Sequence, residues 1–386
     1  MKSLLIPLIR SEILGCELDQ NIIDACRGED SLRGILALAS SHDVANIAAS
    51  SLSRAGLLDG GAAAGELEKQ LMLSLYRYEQ LRFTLSEVSR ILCEAKISHI
   101  PLKGAVIRDY YPKPWMRTSC DIDVLIHRSD AEAAISALTS CGYIKQNDVT
   151  EHDFGLNSPG GVRLELHYTL AQDGALPSAD KVLDCVWDNA LPQKDGSYVM
   201  NMTNEMFVLY HVAHMAKHVV FGGCGIKPFI DLWLIINKMH YDKNVLSDLL
   251  LKADLHKFYL GAEALASVWF GGEEHTSLSE NFEEFILSGG VYGDAENHAA
   301  VKAAKGQGRI KTFLGVAFLP RRKLEIIYPN LRRRPILTPF YQVKRWFRVF
   351  NKKRRRKIAG ITSARNRVTE DMSNSAELLL SGLGLQ

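Results

Sequence analysis

Two aspartates one residue apart are the side chains of this chain best suited to bind metal ions. Asp121 and Asp123 flank Ile122 at the start of an apolar segment that predicts a β-strand over 122–127. Side chains alternate along a strand, so both carboxylates point to one face. Adjacent carboxylates repel each other unless a cation neutralises them. Mg²⁺ ions that bridge the phosphates of a nucleotide meet this need, with Mn²⁺ as the alternative metal.

A second predicted strand, over 162–168, carries three polar side chains on one face. Arg163, Glu165 and His167 alternate there with apolar residues. If this strand lies beside the Asp121 strand, Glu165 completes a three-carboxylate metal site or acts as general base, and His167 supports the acceptor side. Nucleotidyl transfer needs mainly positioning and charge neutralisation, which such a site provides. The alternative is a solvated acidic strand face, which is common in sheets.

Residues that precede the aspartates have the properties needed to hold a triphosphate. Lys103-Gly104 stands at a predicted turn from strand to helix, where glycine permits close approach of a phosphate. The N-terminus of that helix offers unpaired N–H groups to the same anion. We therefore predict that Lys103, Gly104, Arg117 and Thr118 bind the nucleotide. A Lys-Gly pair is common at turns, so this prediction depends on the combination of motifs.

Three histidines recur on one face of a predicted helix. His211, His214 and His218 are three and four residues apart, with Lys217 nearby. No Glu follows the first His as a zinc protease requires, and no further ligand is evident in the sequence. We predict that His214, Lys217 and His218 face the acceptor side of a cleft, with Asp231 in the next helix orienting a histidine. Buried structural histidines and a metal site are the alternatives.

The elements around these motifs predict an α+β fold, in which a mixed sheet is flanked by N- and C-terminal helical regions. We divide the chain into an N-terminal helical region (1–65), a core led by a long helix (66–200), a helical domain (201–305) and a basic C-terminal segment (306–386). Predicted strands cover 98–102, 122–127, 143–146, 153–157 and 162–168. Predicted helices cover 9–18, 21–27, 32–40, 66–95, 104–110, 131–140, 205–219, 226–239 and 245–258, and the glycine-rich stretch 60–65 predicts a flexible break.

The composition excludes several classes of protein. Hydrophobic residues make up 47% and charged residues 23% of the chain, which is typical of a folded globular protein. No apolar run is long enough for a transmembrane segment, and the first residues lack the features of a signal peptide. The 7 cysteines are scattered without a CxxC pair, which argues against disulfides and zinc. These features predict a cytoplasmic protein.

The charge is distributed unevenly along the chain. Residues 1–301 contain 25 Lys and Arg against 40 Asp and Glu, whereas residues 302–368 contain 21 basic residues and the single acid Glu325. The densest basic run extends from Lys344 to Lys357 and is interleaved with aromatic residues. Such a segment could bind nucleic acid or associate with an anionic membrane surface. The alternative is a solvated helix that offsets the acidic body.

The order of the motifs resembles the uncharacterised bacterial nucleotidyltransferase family of the DNA polymerase β superfamily. The segments that carry the resemblance are Leu102-Lys103-Gly104, Tyr110-Tyr111-Pro112, Arg117-Thr118, Asp121-Ile122-Asp123, 164–168, 211–218 and 225–232. The resemblance implies a polymerase-β-like core with Mg²⁺ held by Asp121 and Asp123. Glu165 stands where many relatives carry Asp, and Lys103-Gly104 replaces the Gly-Ser common in the wider superfamily.

Two functions from different classes follow from these observations. The first is metal-dependent transfer of a nucleoside monophosphate from a nucleoside triphosphate to an acceptor, with release of pyrophosphate. The acceptor is a small molecule, a sugar, an RNA or a protein. The second is a non-catalytic module of the same fold, which binds nucleic acid or a membrane through the basic C-terminal segment.

Overall fold

The computed structural model of the chain describes residues 1–149, 153–172, 174–291, 293, 295–304, 318, 321, 324, 328, 331, 334–349 and 370–386. Over this part of the chain the fold is α+β, as the sequence predicts, with one five-stranded mixed sheet among helices. No described helix is both long and apolar enough to cross a membrane.

Five helices precede the sheet: α1 (Lys2–Leu14), α2 (Gln20–Ala25), α3 (Glu29–Ser41), α4 (Ala45–Arg54) and α5 (Ala62–Glu94). The prediction of a helix over 9–18 is wrong at both ends. Helix α1 ends at Leu14 because Gly15 adopts a left-handed conformation, with φ of 70°. The sequence analysis missed α4, of which residues 45–52 are all buried.

The long helix α5 begins earlier than the sequence predicts. The Ala63 N–H donates to the Glu29 carboxylate at 3.0 Å, which satisfies one of the unpaired groups at the helix N-terminus. Gly60 and Gly61 both have positive φ, so they supply the bend that leads into the helix. The predicted break over 60–65 is therefore limited to these two glycines.

The main sheet contains β1 (His99–Pro101), β2 (Asp121–Ile126), β3 (Ile144–Val149), β4 (Asp153–Asn157) and β5 (Arg163–His167), in the order β1-β2-β5-β4-β3. Strands β2 and β5 are parallel, and the other neighbouring pairs are antiparallel. All five predicted strands occur, with ends that differ by at most three residues. The strand with Glu165 therefore lies beside the Asp121 strand, as the predicted metal site requires.

The two faces of the sheet have opposite character. One face carries Ile122, Val124 and Leu164, which pack with α5 and with α7 (Ala131–Ser140) in an apolar core. Because neighbouring residues of a strand point to opposite faces, Asp123 and Glu165 project from the other face. Burial of the apolar face thus fixes the direction of the carboxylates.

The C-terminal half is mainly helical. It contains α8 (Pro177–Leu183), the hairpin strands β6 (Ala190–Pro192) and β7 (Met200–Met202), then α9 (Asn204–Val220), α10 (Lys227–Lys238), α11 (Lys243–Lys252), α12 (His256–Ala266), α13 (Ser277–Gly289), α14 (Ala295–Ala304), α15 (Thr338–Val349) and α16 (Glu370–Gly382). The prediction of one helix over 245–258 is wrong. Asp254 has φ of 57°, which breaks the segment between α11 and α12.

A second, larger core joins the two ends of the chain. Its buried residues include Leu8 of α1, Phe229 of α10, Phe282 of α13, and Leu380 of α16. The apolar residues of α16 are thus part of the interior. The division of the chain at residues 65, 200 and 305 stays a prediction.

Most of the predicted basic binding segment lies outside the described residues. Helix α15 includes Lys344 and ends at Val349, whereas residues 350–357 are not described. The Lys344 ammonium lies 5.9 Å from the ring centre of Tyr328 and 5.8 Å from that of Tyr341. Binding of a membrane or nucleic acid by this segment stays a prediction.

Candidate active site

The carboxylates of the two parallel strands come together at the open face of the sheet. Asp123 pairs with Glu165 across the β2–β5 ladder, and Asp121 pairs with Arg163. The Asp123 side chain is only 8% exposed and that of Glu165 only 20%. One ligand atom each from Asp123, Glu165 and His167 lies within 4.8 Å of the others. The register thus produces a compact group of two carboxylates and one imidazole.

Lys103 supplies a positive charge to this group from a constrained turn. Its ammonium lies 3.1 Å from Asp123 Oδ1. Its backbone has φ of 45° and ψ of −115°, and the Ala105 N–H donates to the Leu102 carbonyl at 3.1 Å. These values are those of the first central residue of a type II′ turn, which favours glycine. The Leu102 N–H also donates to the Asp123 carbonyl at 3.0 Å, so the turn is tied to the aspartate strand.

The backbone of Lys103 is strained, and such strain in a non-glycine residue persists only where the surrounding structure imposes it. Burial works to lower the pKa of Lys103, but Tyr210, Asp123 and Asp121 outweigh it and raise that pKa above its usual value. The ammonium is therefore charged at neutral pH. It supplies Asp123 with a cation from within the chain.

The two aspartates differ in their electrostatic surroundings. Burial, together with the charges of Asp123 and Glu165, raises the pKa of Asp121. Burial would also raise the pKa of Asp123, but Lys103 and His167 outweigh it and hold that pKa below its usual range. The His167 Nε2 lies 2.7 Å from Asp123 Oδ1. Asp123 is therefore the neutralised carboxylate, and Asp121 still lacks a close cation of its own among the described ion pairs.

Helix α9 forms the opposite wall of the site with its histidines. The Nε2 atoms of His214 and His218 are 3.0 Å apart, and their rings meet edge to face. Burial, followed by the charge of Lys103, lowers the pKa of His214. Burial and the nearby Lys217 lower the pKa of His218 to about 4. Both imidazoles are therefore neutral at pH 7.

The remaining histidine and Asp231 have structural partners. His211 Nε2 donates to the Pro228 carbonyl at 3.0 Å. The buried Asp231 carboxylate accepts the Arg117 Nε at 2.9 Å and the Tyr111 hydroxyl at 2.7 Å. Asp231 thus orients Arg117 and Tyr111, and the hydrogen bonds described for its carboxylate do not include the histidine that the sequence predicts. The Arg117 guanidinium enters the site already held by this carboxylate.

Two residues that sequence reasoning missed join the N-terminal helices to the site. Lys227, at the start of α10, forms an ion pair with Asp43 and donates to the Thr118 carbonyl at 3.1 Å. The Thr118 hydroxyl lies 3.2 Å from Asp43 Oδ2. Lys227 belongs to the segment 225–232 that carries the resemblance, so its sequence context was a usable signal. Asp43 follows α3 and offers no such signal.

The two walls enclose a cavity of about 260 Å³. Its lining includes Asp43, Lys103, Gly104, Arg117, Asp121, Asp123, Tyr210, His211, His214, His218, Lys227 and Asp231. Tyr210 was also missed, although it lies one helical turn before His214 on the predicted histidine face. Of the residues predicted for the site, Thr118, Glu165, His167 and Lys217 are not part of this lining. The cavity is at the small end of the range for ligand sites.

The chemistry of the clustered donors fits a divalent cation. Two carboxylates and an imidazole are common metal ligands, and their spacing allows one ion to contact all three. The ammonium of Lys103 at Asp123 Oδ1 shows that this position already attracts a cation. Asp123, Glu165 and His167 are thus the described residues that could hold a metal, with Asp121 beside them.

Comparison with known proteins yields one match. A family model described as an uncharacterised nucleotidyltransferase matches residues 29–271, which include α3 to α12 and every site residue named above. No curated protein and no solved structure matches the chain.

Proposed function

Because the chain belongs to the uncharacterised nucleotidyltransferase family, we propose that it is a metal-dependent nucleotidyltransferase that uses a nucleoside triphosphate. The observation that carries the proposal is the convergence of Asp121, Asp123 and Glu165 on two parallel strands, of which Asp121 and Asp123 line the cleft. When bound there, Mg²⁺ or Mn²⁺ would neutralise the phosphate oxygens and the charge that develops on them.

Different residues of the site would bind the metal and the triphosphate of the nucleotide. Asp121 and Asp123 would hold the metal, and Glu165 would serve as third ligand or as general base. Lys103, Gly104 and Arg117 line the cavity and neutralise the triphosphate, whereas Thr118 positions the loop through its contact with Asp43. A lysine that already neutralises Asp123 can turn to the phosphates once another cation takes its place.

The reaction moves one nucleoside monophosphate. An oxygen of the acceptor attacks the α-phosphorus, the bond from that phosphorus to the bridging oxygen breaks, and pyrophosphate leaves. The acceptor's proton passes to a nearby base, for which Glu165 is our candidate. The neutral imidazoles of His214 and His218 line the opposite wall, where they can hydrogen-bond the hydroxyl group of an acceptor. The acceptor class among small molecules, sugars, RNA and proteins stays open.

A thermal-shift titration tests the proposal. The protein is titrated with ATP, CTP, GTP and UTP, each with and without Mg²⁺ or Mn²⁺, beside an Asp121→Asn/Asp123→Asn variant. A ligand at 100 times its dissociation constant stabilises a protein by about 2.7 kcal/mol. We expect metal-dependent stabilisation by at least one nucleotide, and its loss in the variant. No stabilisation by any nucleotide, combined with salt-dependent binding to polyanions, would favour the non-catalytic module instead.

A further inference from the structure

We propose that His167 is a direct ligand of the divalent cation and that it makes this site prefer Mn²⁺ to Mg²⁺. The inference rests on the proposed function, because it concerns the metal of the same site. It departs from the three-carboxylate set that the sequence predicts, since the clustered donors are Asp123, Glu165 and His167. Asp121 is not a member of that cluster.

The imidazole of His167 lies between the two carboxylates of the cluster. His167 is two residues after Glu165 on β5, so both side chains project from the same face of the sheet. Its Nε2 lies 2.7 Å from Asp123 Oδ1 and 3.7 Å from Glu165 Oε2. The side chain is 13% exposed. The nitrogen is thus held between the two carboxylates rather than in solvent.

Arg163 occupies one carboxylate oxygen of Glu165 and leaves the other oxygen available. Its Nε donates to Glu165 Oε1 at 2.9 Å. Glu165 Oε2 is the oxygen that faces His167. One oxygen of Glu165 is therefore occupied by a guanidinium, while the other shares a space with His167 Nε2 and Asp123 Oδ1. These are the three atoms that a single cation would contact.

The nitrogen ligand then sets the metal preference. Mg²⁺ binds oxygen ligands and gives up its waters reluctantly, whereas a site with a nitrogen ligand binds first-row transition ions with an affinity that rises from Mn²⁺ toward Cu²⁺. Mn²⁺ accepts carboxylates as readily as Mg²⁺ does and is the transition ion closest to it in ligand choice. A site of two carboxylates and one imidazole should therefore bind Mn²⁺ at least about tenfold more tightly than Mg²⁺.

Electron paramagnetic resonance of Mn²⁺ with the full-length protein tests the assignment. We expect one tight Mn²⁺ site, displaced by Mg²⁺ only at about tenfold or greater excess, and an electron spin-echo spectrum with nitrogen modulation from imidazole. His167→Gln keeps a side-chain donor that can reach Asp123, so the fold should survive. It should abolish the nitrogen modulation and weaken Mn²⁺ binding about tenfold, while Mg²⁺ binding changes little. A second variant, His167→Asp, supplies oxygen in place of nitrogen and should reverse the preference toward Mg²⁺.

The control removes a histidine that lines a separate cavity. His256→Gln, at the start of α12, should leave both the nitrogen modulation and the metal preference unchanged. Tight Mn²⁺ binding without nitrogen modulation, or modulation that persists in His167→Gln, overturns the role of His167 and leaves the proposed function standing. Binding of neither metal, with or without nucleotide, overturns the proposed function itself.

Discussion

The two walls of the cleft are built from different kinds of charge. On the sheet wall, Asp121, Asp123 and Glu165 crowd together, and Lys103 is the ammonium that lies against them. The helix wall instead contains a buried ion pair and uncharged histidines. Asp231 holds Arg117, while the histidines of α9 are neutral. The sheet wall therefore carries more negative than positive charge, whereas the ion pair of the helix wall is neutral as a whole. Under the proposed function, the sheet wall would bind the metal, the triphosphate would lie between it and Arg117, and the acceptor would meet the histidines of α9.

Backbone strain is found on both sides of this cleft. Among the described residues, the non-glycine residues with positive φ are Asp43, Lys96, Lys103 and Asp254. Asp43 and Lys103 both line the cavity. Each ends in a charged group that bonds across to another element, Asp43 to Lys227 and Lys103 to Asp123. At Asp43 and Lys103, a strained backbone conformation thus positions a charged side chain in the cavity.

The largest effect is expected on the helix wall. Asp231→Asn removes the countercharge of Arg117, whose side chain is only 11% exposed. An unpaired buried charge costs about 3 kcal/mol of the free energy of unfolding, which urea denaturation measures. Glu79→Gln, which breaks an exposed pair with Arg82, should leave it nearly unchanged. A loss below about 1 kcal/mol, together with lost nucleotide binding, would show that this wall binds the nucleotide rather than supporting it.

The corresponding change on the sheet wall should affect ligand binding more than folding. Asp123→Asn removes a carboxylate of the metal site, so the metal-dependent stabilisation by nucleotide, about 2.7 kcal/mol at 100 times the dissociation constant, should disappear. Thermal unfolding with and without nucleotide measures it. The exposed Asp109→Asn is the matched control and should retain the full stabilisation. Equal stabilisation in Asp123→Asn and the wild type would contradict the assignment of the metal site.

The sheet wall was predictable from the sequence for a physical reason. Alternation along a strand places Asp121 and Asp123 on one face, and the apolar residues between them fix which face is buried. The helix wall depends on pairs that are remote in the chain, such as Lys227 with Asp43, 184 positions apart. No local period encodes such a pair. The sequence predicts His167 on the acceptor side. Strand alternation gives the face of a side chain, but it does not give the distances between side-chain atoms on neighbouring strands.

A third prediction concerns the competition between Lys103 and the metal. Lys103→Met removes the ammonium that lies 3.1 Å from Asp123 Oδ1. Without nucleotide, Mn²⁺ should then bind about tenfold more tightly, a gain of about 1.4 kcal/mol, because no internal cation has to be displaced. Titration calorimetry measures the affinity, and the exposed Lys113→Met serves as control. Unchanged or weaker Mn²⁺ binding would show that Lys103 and the metal occupy the site together.

The smallest effect is the pH dependence that the helix wall gives to stability. The pKa of His218 is lowered to about 4 in the folded protein because burial and Lys217 disfavour its charged form. The unfolded chain takes up this proton near pH 6.5, so the unfolded state binds more protons between about pH 6.5 and pH 4. The free energy of unfolding must therefore fall as the pH is lowered through this window, by about 1 kcal/mol from pH 6.5 to pH 5.5 for this one group.

His218→Gln tests the neutrality of the helix wall directly. The variant should lose about 1 kcal/mol of the decrease in stability between pH 6.5 and pH 5.5, measured by urea denaturation at each pH. Part of the dependence should remain, because burial lowers the pKa of His214 as well. The exposed His240→Gln should leave the profile unchanged. If His218→Gln leaves it unchanged too, folding does not lower the pKa of His218, and the imidazole takes up its proton near pH 6.5 in the folded protein as well. The helix wall would then carry positive charge toward the phosphates, and the division of labour between the two walls would fail.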